Sequence, residues 1–183
     1  MTQVVLGLGS NLDPQKHLCA GLEALNLLLK DLRCSPVFES LAVGYQGPNF
    51  HNLVVKGYTD SPLLKLDRQL KAIEADNGRY APNRKGLPLD IDVLLYGDQV
   101  GTFGGELVLP RPEILCNAFV LWPLALLVPE QAHPVVGQSF AQLWQESDIQ
   151  QQLWPVAFQW HGQSLTPQRL LESFPAPACL IKR

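Results

Sequence analysis

Two aspartates stand two residues apart in the run Pro88-Leu89-Asp90-Ile91-Asp92-Val93-Leu94-Leu95-Tyr96-Gly97, which otherwise has the apolar character of a strand. Residues i and i+2 of a strand point to the same face, so the two carboxylates stand side by side, with roughly 7 Å between their Cα atoms. Leu89, Ile91, Val93 and Leu95 then point the other way, into a core. Adjacent anions repel each other and cost desolvation unless something positive lies between them. A divalent metal supplies that charge. One or two Mg2+ ions suit this spacing, since their usual partners are one or two carboxylates, waters and polyphosphate oxygens. The competing reading is an edge strand with a solvated outer face, which any lone Asp-x-Asp pair also fits.

The elements that must hold this strand alternate in type. Residues 3–8 read as a strand, Gly9-Ser10-Asn11 as a turn, and 14–31 as a helix with Leu18, Leu22, Leu25 and Leu29 at helical spacing. Asp13-Pro14 is a start signal, Asp at the cap and Pro at the first helical position. A strand near 34–43 and a Gly/Pro-rich loop through Asn49 lead to a strand at about 50–58. Thr59-Asp60-Ser61-Pro62 opens a second helix at 62–76, with Leu63, Leu66, Leu70 and Ile73 on one face. An irregular basic stretch from Gly78-Arg79 to Gly86 then enters the aspartate strand. The order β-α-β-β-α-β predicts an α+β, ferredoxin-like core: a four-stranded antiparallel sheet with both helices packed on one face.

Beyond residue 97, Gly101, Gly104 and Gly105 predict a hairpin turn, Leu107 to Pro110 a short strand, and the apolar run 116–127 a short buried helix. We divide the chain into a domain of residues 1–145 and a C-terminal extension, 146–183, in which Trp154 and Trp160 stand among glutamines. The extension is expected to pack on the same domain or on a partner.

At 183 residues, 46% hydrophobic and 17% charged, the chain is long enough for one proper core. A formal charge of −3 gives no general attraction for nucleic acid or for an anionic membrane. Cys19, Cys34, Cys116 and Cys179 are scattered, with neither zinc-ligand spacing nor a disulfide framework. No signal-type segment or membrane-length apolar run is present, so the expectation is a cytoplasmic protein, a monomer or weak homodimer.

Five short motifs in order carry a resemblance. They are Leu8-Gly9-Ser10-Asn11-Leu12, Phe50-His51-Asn52, Ile73-Glu74-Ala75-Asp76-Asn77-Gly78-Arg79, Leu89-Asp90-Ile91-Asp92, and Phe119-Val120-Leu121-Trp122-Pro123-Leu124. From about residue 4 to about 145 the chain resembles the 6-hydroxymethyl-7,8-dihydropterin pyrophosphokinases of folate biosynthesis. The resemblance implies that MgATP and a reduced pterin bind together, that the β,γ-diphosphate moves to the pterin's hydroxymethyl oxygen, and that AMP leaves. It implies that Asp90 and Asp92 hold two Mg2+ ions and act in catalysis with Arg79. It assigns the pterin to Ser40, Val43, Phe50, Asn52 and Phe119, with the two phenylalanines stacked on the ring and the Asn52 carboxamide at its edge. The nucleotide falls to Glu74, Arg79, Arg84 and Arg111.

Taken alone, several of these residues read otherwise. Phe50 and Phe119 fit an ordinary core, Glu74 a surface charge on the polar side of its helix, and Arg79 a cation facing the helix dipole after Gly78. His51 alternates away from Phe50 and Asn52 and reads as a satisfied or exposed side chain. His17, His133 and His161 lack ligand spacing, and Gly9-Ser10-Asn11 lacks the lysine and glycine spacing of a phosphate loop.

The departures from the family pattern lie on one side of the site. Leu87 stands where an arginine is usual, Arg111 where a histidine is usual, and Asn117 where a second arginine is usual. Each missing guanidinium removes charge-assisted contacts of about 1.5–3 kcal/mol. Three readings follow: a pyrophosphokinase, a weakly active or non-catalytic pterin-binding paralogue, and a partner-binding ferredoxin-like domain. Two paired carboxylates favour the first, because a pterin binder has no use for them.

Overall fold

The computed structural model describes residues 1–42 and 46–178. In chain order, β1 (Thr2–Ser10), α1 (Pro14–Leu28), β2 (Lys30–Cys34), β3 (Val37–Ser40), β4 (Phe50–Thr59), α2 (Leu63–Asp76) and β5 (Asp90–Tyr96) form the main layer. There follow β6 (Gly101–Phe103), β7 (Leu107–Leu109), α3 (Ala118–Leu127), α4 (Phe140–Gln145), β8 (Leu153–Val156), β9 (Gln159–Trp160), β10 (Gln163–Ser164) and α5 (Gln168–Ser173). The sheet runs β5-β1-β4-β3-β8, with β2 also on β4, and every pairing in it is antiparallel. This is the ferredoxin-like order, extended by one strand from the carboxyl-terminal segment.

The strand expected at 34–43 is two strands, both lying on β4: Cys34 pairs with Val55 and Phe38 with Asn52. Pro36 has no N–H for the ladder, and Ser35 closes the gap from both sides. Its backbone N–H donates to the Val54 carbonyl at 2.8 Å, and its hydroxyl accepts from the Val54 N–H at 2.9 Å. Helix α1 stops at Leu28 rather than 31, since Lys30 already pairs with Tyr58. Asp13 does not cap α1 through its side chain; its backbone is left-handed, with φ 43°. Gly9 and Ser10 belong to β1 rather than to the expected turn, which starts at Asn11.

Two apolar clusters sandwich the sheet. Val4, Leu6 and Leu8 of β1 meet Leu18, Leu22 and Leu25 of α1 and Leu66 and Leu70 of α2. Each fully buried leucine contributes about 1.5–3 kcal/mol of transfer free energy. On the opposite face, Val5 and Val54 meet Leu121 and Leu124 of α3 and Phe140 of α4.

The expected core set of the aspartate strand needs one correction. Leu89, Ile91 and Val93 do pack under α1 and α2, but Leu95 lies on the opposite face, in the cluster with Val5. Opposite β1, Val93 pairs with Leu6 and Leu95 with Val5, which leaves Leu94 as an extra residue. This bulge inverts the alternation beyond Val93. It leaves Asp90 and Asp92 on one face while closing the strand's far end with three successive buried residues, Leu94, Leu95 and Tyr96.

After residue 146 the chain is anchored by β8 on the β3 edge and, further on, by contacts with α1. Trp154 and Phe158 are buried, and Trp160 packs against the helix-side cluster. The Trp160 indole N–H donates to Glu23 of α1 at 3.0 Å, and His161 Nε2 pairs with the same carboxylate. Among the described residues, no helix is long and apolar enough to cross a membrane.

His133, read from the sequence as free of any ligand role, is buried, and its Nδ1 accepts from the backbone N–H groups of Val135 and Val136 at 3.2 and 3.1 Å. Desolvation lowers its pKa below the ordinary 6.5, so the folded state holds the neutral ring. In acid the unfolded chain takes up this proton before the folded one does, so the contribution is intact above about pH 6.5 and is lost as the pH falls. His133→Asn, which keeps an acceptor but cannot titrate, is expected to flatten the slope of melting temperature against pH between pH 7 and 5. An unchanged slope would assign that acid sensitivity to other groups.

Candidate active site

The floor of the site is made of missing side chains. On β1, Gly9 lies between Asp90 of β5 and Asn52 of β4, and Gly7 between Asp92 and Val54. A Cβ at Gly9 would stand 2.7 Å from Asn52 Nδ2, closer than real contacts allow. The two glycines thus keep a lane open between the carboxylates and the carboxamide. The signal was available in the sequence as glycine at alternate positions of a strand, and the sequence reading passed over it.

Asp90 and Asp92 are partly exposed, and each meets one guanidinium. Arg79 Nη1 donates to Asp90 Oδ1 at 2.9 Å and to the Leu89 carbonyl at 3.2 Å. Arg111 Nη2 lies 3.0 Å from Asp92 Oδ1, and its Nε lies 3.3 Å from Glu113. Even with Arg111 there, burial and then the neighbouring Asp90 push the Asp92 carboxyl up to about 7. Two half-buried carboxylates side by side, each with an oxygen not used by its arginine pair, form a donor set with room for a cation. Among the described residues, no group of three or more His, Cys, Asp or Glu side chains is placed to hold a metal. The pair would be completed by oxygens from a ligand and from water.

Glu74 is not a surface charge. It is buried at 6% exposure, and its Oε1 accepts the Ile91 backbone N–H at 2.7 Å, between the two aspartates in sequence. Desolvation raises its pKa. Its contact couples α2 to the aspartate strand, and at the end of the same helix Gly78, with φ 81°, turns the chain so that Arg79 reaches Asp90.

Among the described residues, three cavities open beside the pair, one of which, about 190 Å³ over the glycine lane, shares walls with the two others. Of those two, the larger, about 340 Å³, lies toward α2 and the β6–β7 hairpin, with Lys71, Glu74, Arg79, Tyr80, Phe103 and Arg111 in its wall. The smaller, about 210 Å³, is bounded by Gly9, Ser40, Phe50, Asn52, Leu87 and Phe119. Asp90 borders both. Asn52 donates from Nδ2 to the Leu8 carbonyl at 3.4 Å, while its Oδ1 is buried without a hydrogen-bond partner. An orphaned buried carbonyl in an aromatic-walled pocket fits a flat ligand with N–H groups on its edge.

Most of the residues singled out in the sequence thus gather at one place: Asp90, Asp92, Glu74, Arg79 and Arg111 on the larger cavity, and Ser40, Phe50, Asn52 and Phe119 on the smaller. Val43 lies outside the described residues. Arg84 is exposed, donates to the Gly86 carbonyl and lines neither cavity. His51 is neither satisfied nor exposed: its Nδ1 is buried without a partner, and burial lowers its pKa. Glu39, its cross-strand neighbour, has committed its oxygens to Asn49 and Trp154. Lys71, Tyr80 and Phe103 were missed because nothing local marks them; separate elements bring them to the cleft.

The positions that depart from the family pattern have local roles. The Leu87 N–H donates to Asn11 Oδ1 at 2.6 Å and its carbonyl accepts from the Asn11 N–H at 3.0 Å, which ties the basic loop to the end of β1. Asn117 precedes α3, and its Oδ1 accepts from Gln151 Nε2 at 3.1 Å.

A ferredoxin-like sheet carrying a carboxylate pair between a polar cleft and a smaller aromatic pocket defines a protein built to bring two small ligands together. The chain belongs to the 7,8-dihydro-6-hydroxymethylpterin-pyrophosphokinase family, whose family model matches residues 5–129. It is 32% identical over 152 residues to the 2-amino-4-hydroxy-6-hydroxymethyldihydropteridine pyrophosphokinase of Aquifex aeolicus, covering 81% of this chain and 94% of that protein. With the enzyme of the same name from Pseudomonas aeruginosa, identity is 36% over 137 residues, 72% of this chain and 84% of the relative. Among solved structures, the wild-type HPPK-DHPS of Plasmodium falciparum with SDX-DHP superposes with a TM-score of 0.65 at 14% identity. That match covers 79% of this chain and 44% of the other, and it supports the fold alone.

Proposed function

We infer that this protein transfers diphosphate from ATP to the hydroxymethyl group of 6-hydroxymethyl-7,8-dihydropterin, giving AMP, as a step of folate biosynthesis. The observation that carries this reading is the position of Asp90, on the wall of both cavities at once. ATP occupies the larger cleft and the pterin the smaller pocket, so the acceptor oxygen and the β-phosphate meet at the aspartate pair. Phosphoryl-type transfer asks a protein mainly for alignment and charge neutralisation. Bound to Asp90 and Asp92, two Mg2+ ions would neutralise the triphosphate and template an in-line displacement. Phe50 and Phe119 orient the pterin ring, and Asn52 Oδ1 accepts from its edge. Arg79 and Arg111, which pair with the carboxylates, stand within the same cleft to meet the phosphates, whereas Arg84 would have to leave the Gly86 carbonyl to reach them.

In this reading residues 1–145 carry the ligand and metal contacts, and the described part of the extension, to residue 178, packs on them. The protein acts in the cytoplasm as a monomer or weak homodimer, with neither nucleic acid nor membrane as partner. ATP turnover to AMP that depends on the pterin tests the assignment.

One observation favours a weakly active variant of the same chemistry. Leu87 offers the phosphates no cation from its place beside Asp90, on the wall of the smaller pocket rather than of the larger cleft, and Asn117 is engaged by Gln151. Leu87→Arg is expected to tighten MgATP binding in the absence of pterin by about tenfold, the size of one charge-assisted contact. Tight nucleotide binding by the unmodified protein, with no gain in the variant, would show that other residues hold the phosphates.

A further inference from the structure

The residues that shape the acceptor pocket are tied to a segment beyond the family match, which ends at residue 129. Gln151 reaches the start of α3 with both ends of its side chain. Its Oε1 accepts the Ala118 backbone N–H at 2.8 Å, and its Nε2 donates to Asn117 Oδ1 at 3.1 Å. No side chain of the helix's own N-cap residue serves its free N–H groups, so Gln151 takes that part from outside. The next residue is Phe119, one wall of the pocket.

A second tie reaches the other wall. The Trp154 indole N–H donates to Glu39 Oε2 at 3.2 Å, and Glu39 Oε1 accepts from Asn49 Nδ2 at 3.1 Å. Asn49 directly precedes Phe50. Between the two ties, Leu153 pairs with Ser40, itself in the pocket wall. Gln150, Gln151, Gln152 and Leu153 also bound a cavity of about 310 Å³ that shares Ser40, Leu41 and Phe119 with the acceptor pocket.

We propose that residues 150–154 of the C-terminal extension are part of the acceptor site, with Gln151 and Trp154 as positioning residues that set the spacing of the Phe119 and Phe50 walls. The proposal rests on the pyrophosphokinase reading above. A pocket for a flat ring needs its two faces held at a fixed separation; α3 packs on β4 through Leu121, Leu124 and Val54, while Phe119 and Phe50 stand at the beginnings of those two elements, where the extension adds its bonds. Phe119 is in the first turn of α3, and Phe50 opens β4 after a loop. The extension is the segment that bonds to both neighbourhoods. It also explains why Asn117 is tolerated where the family pattern has arginine: the carboxamide is a partner for Gln151.

The test uses the full chain with Gln151→Leu, which removes both bonds at nearly constant size, and Trp154→Phe, which removes the indole donor and keeps a buried aromatic. Calorimetric titration with 6-hydroxymethylpterin and, separately, with MgATP is read beside thermal melts and the KM for each substrate. Each variant is expected to bind the pterin about tenfold more weakly and to raise its KM to match, with MgATP affinity unchanged. Pterin affinity equal to the unmodified protein in both variants would overturn the proposal. So would an equal loss of pterin and nucleotide binding, the mark of a merely structural role. Failure of the unmodified protein to bind the pterin at all would instead overturn the underlying reading, and the proposal with it.

Discussion

Asp90→Asn and Asp92→Asn are each expected to lower diphosphoryl transfer by about a thousandfold or more, about 4 kcal/mol in the barrier, while leaving the protein folded. Both side chains sit on the open face of β5 beside the cleft, and the residues between and around them carry the packing. The effect on stability should run opposite to the effect on activity. The Asp92 carboxyl is pushed up to about 7, first by burial and then by Asp90. A folded-state pKa above the unfolded value means that stability falls as the pH rises from about 4 to about 7, where the folded protein must give up a proton it holds well. Asp92→Asn removes that penalty, so the metal-free variant should melt no lower than the unmodified protein at pH 8, and higher if anything. Retained turnover in both variants would remove the aspartates from the reaction. A large drop in melting temperature with lost turnover would make their role structural.

The second large effect is expected at Asn52. With a ring-stacking pocket intact, pterin affinity should lie near the micromolar range, about −8 kcal/mol. Asn52→Leu removes the buried Oδ1 that has no partner in the free protein and that would accept from the ligand. Pterin affinity should fall by a factor of about ten to a hundred, while the free protein changes little, because losing the unsatisfied Oδ1 offsets losing the long bond from Nδ2 to the Leu8 carbonyl. Titration calorimetry and a thermal melt of the same sample check both outcomes together. An unchanged pterin affinity would show that the carboxamide does not face the ligand.

The frame was legible in the sequence because alternation and leucine spacing are local signals. Leu18, Leu22 and Leu25, the alternating Val4, Leu6 and Leu8, and the Asp90/Asp92 spacing each report one face of one element. What was not legible depends on partners distant in the chain. Glu74 looks like a surface charge on its own helix, and only the Ile91 N–H from another element makes it a buried acceptor. The bulge at Leu94 left no mark, since Val93-Leu94-Leu95 is apolar on either phase. The extension's glutamines gave no hint of a role, because a glutamine that reaches a helix start and one in solvent look alike in sequence. The departures at Leu87 and Asn117 were visible as absences of charge, but what each does in place of a clamp required the loop and the extension to be in view.

The most direct measurement is the formation of AMP from ATP by the purified protein with Mg2+, with and without 6-hydroxymethyl-7,8-dihydropterin, followed chromatographically together with the diphosphorylated pterin. AMP and the pterin diphosphate should appear in equal amounts, only when all three components are present, and not with Asp92→Asn. Pterin binding at the expected strength with no AMP under any condition would contradict the account and leave a pterin-binding protein in its place.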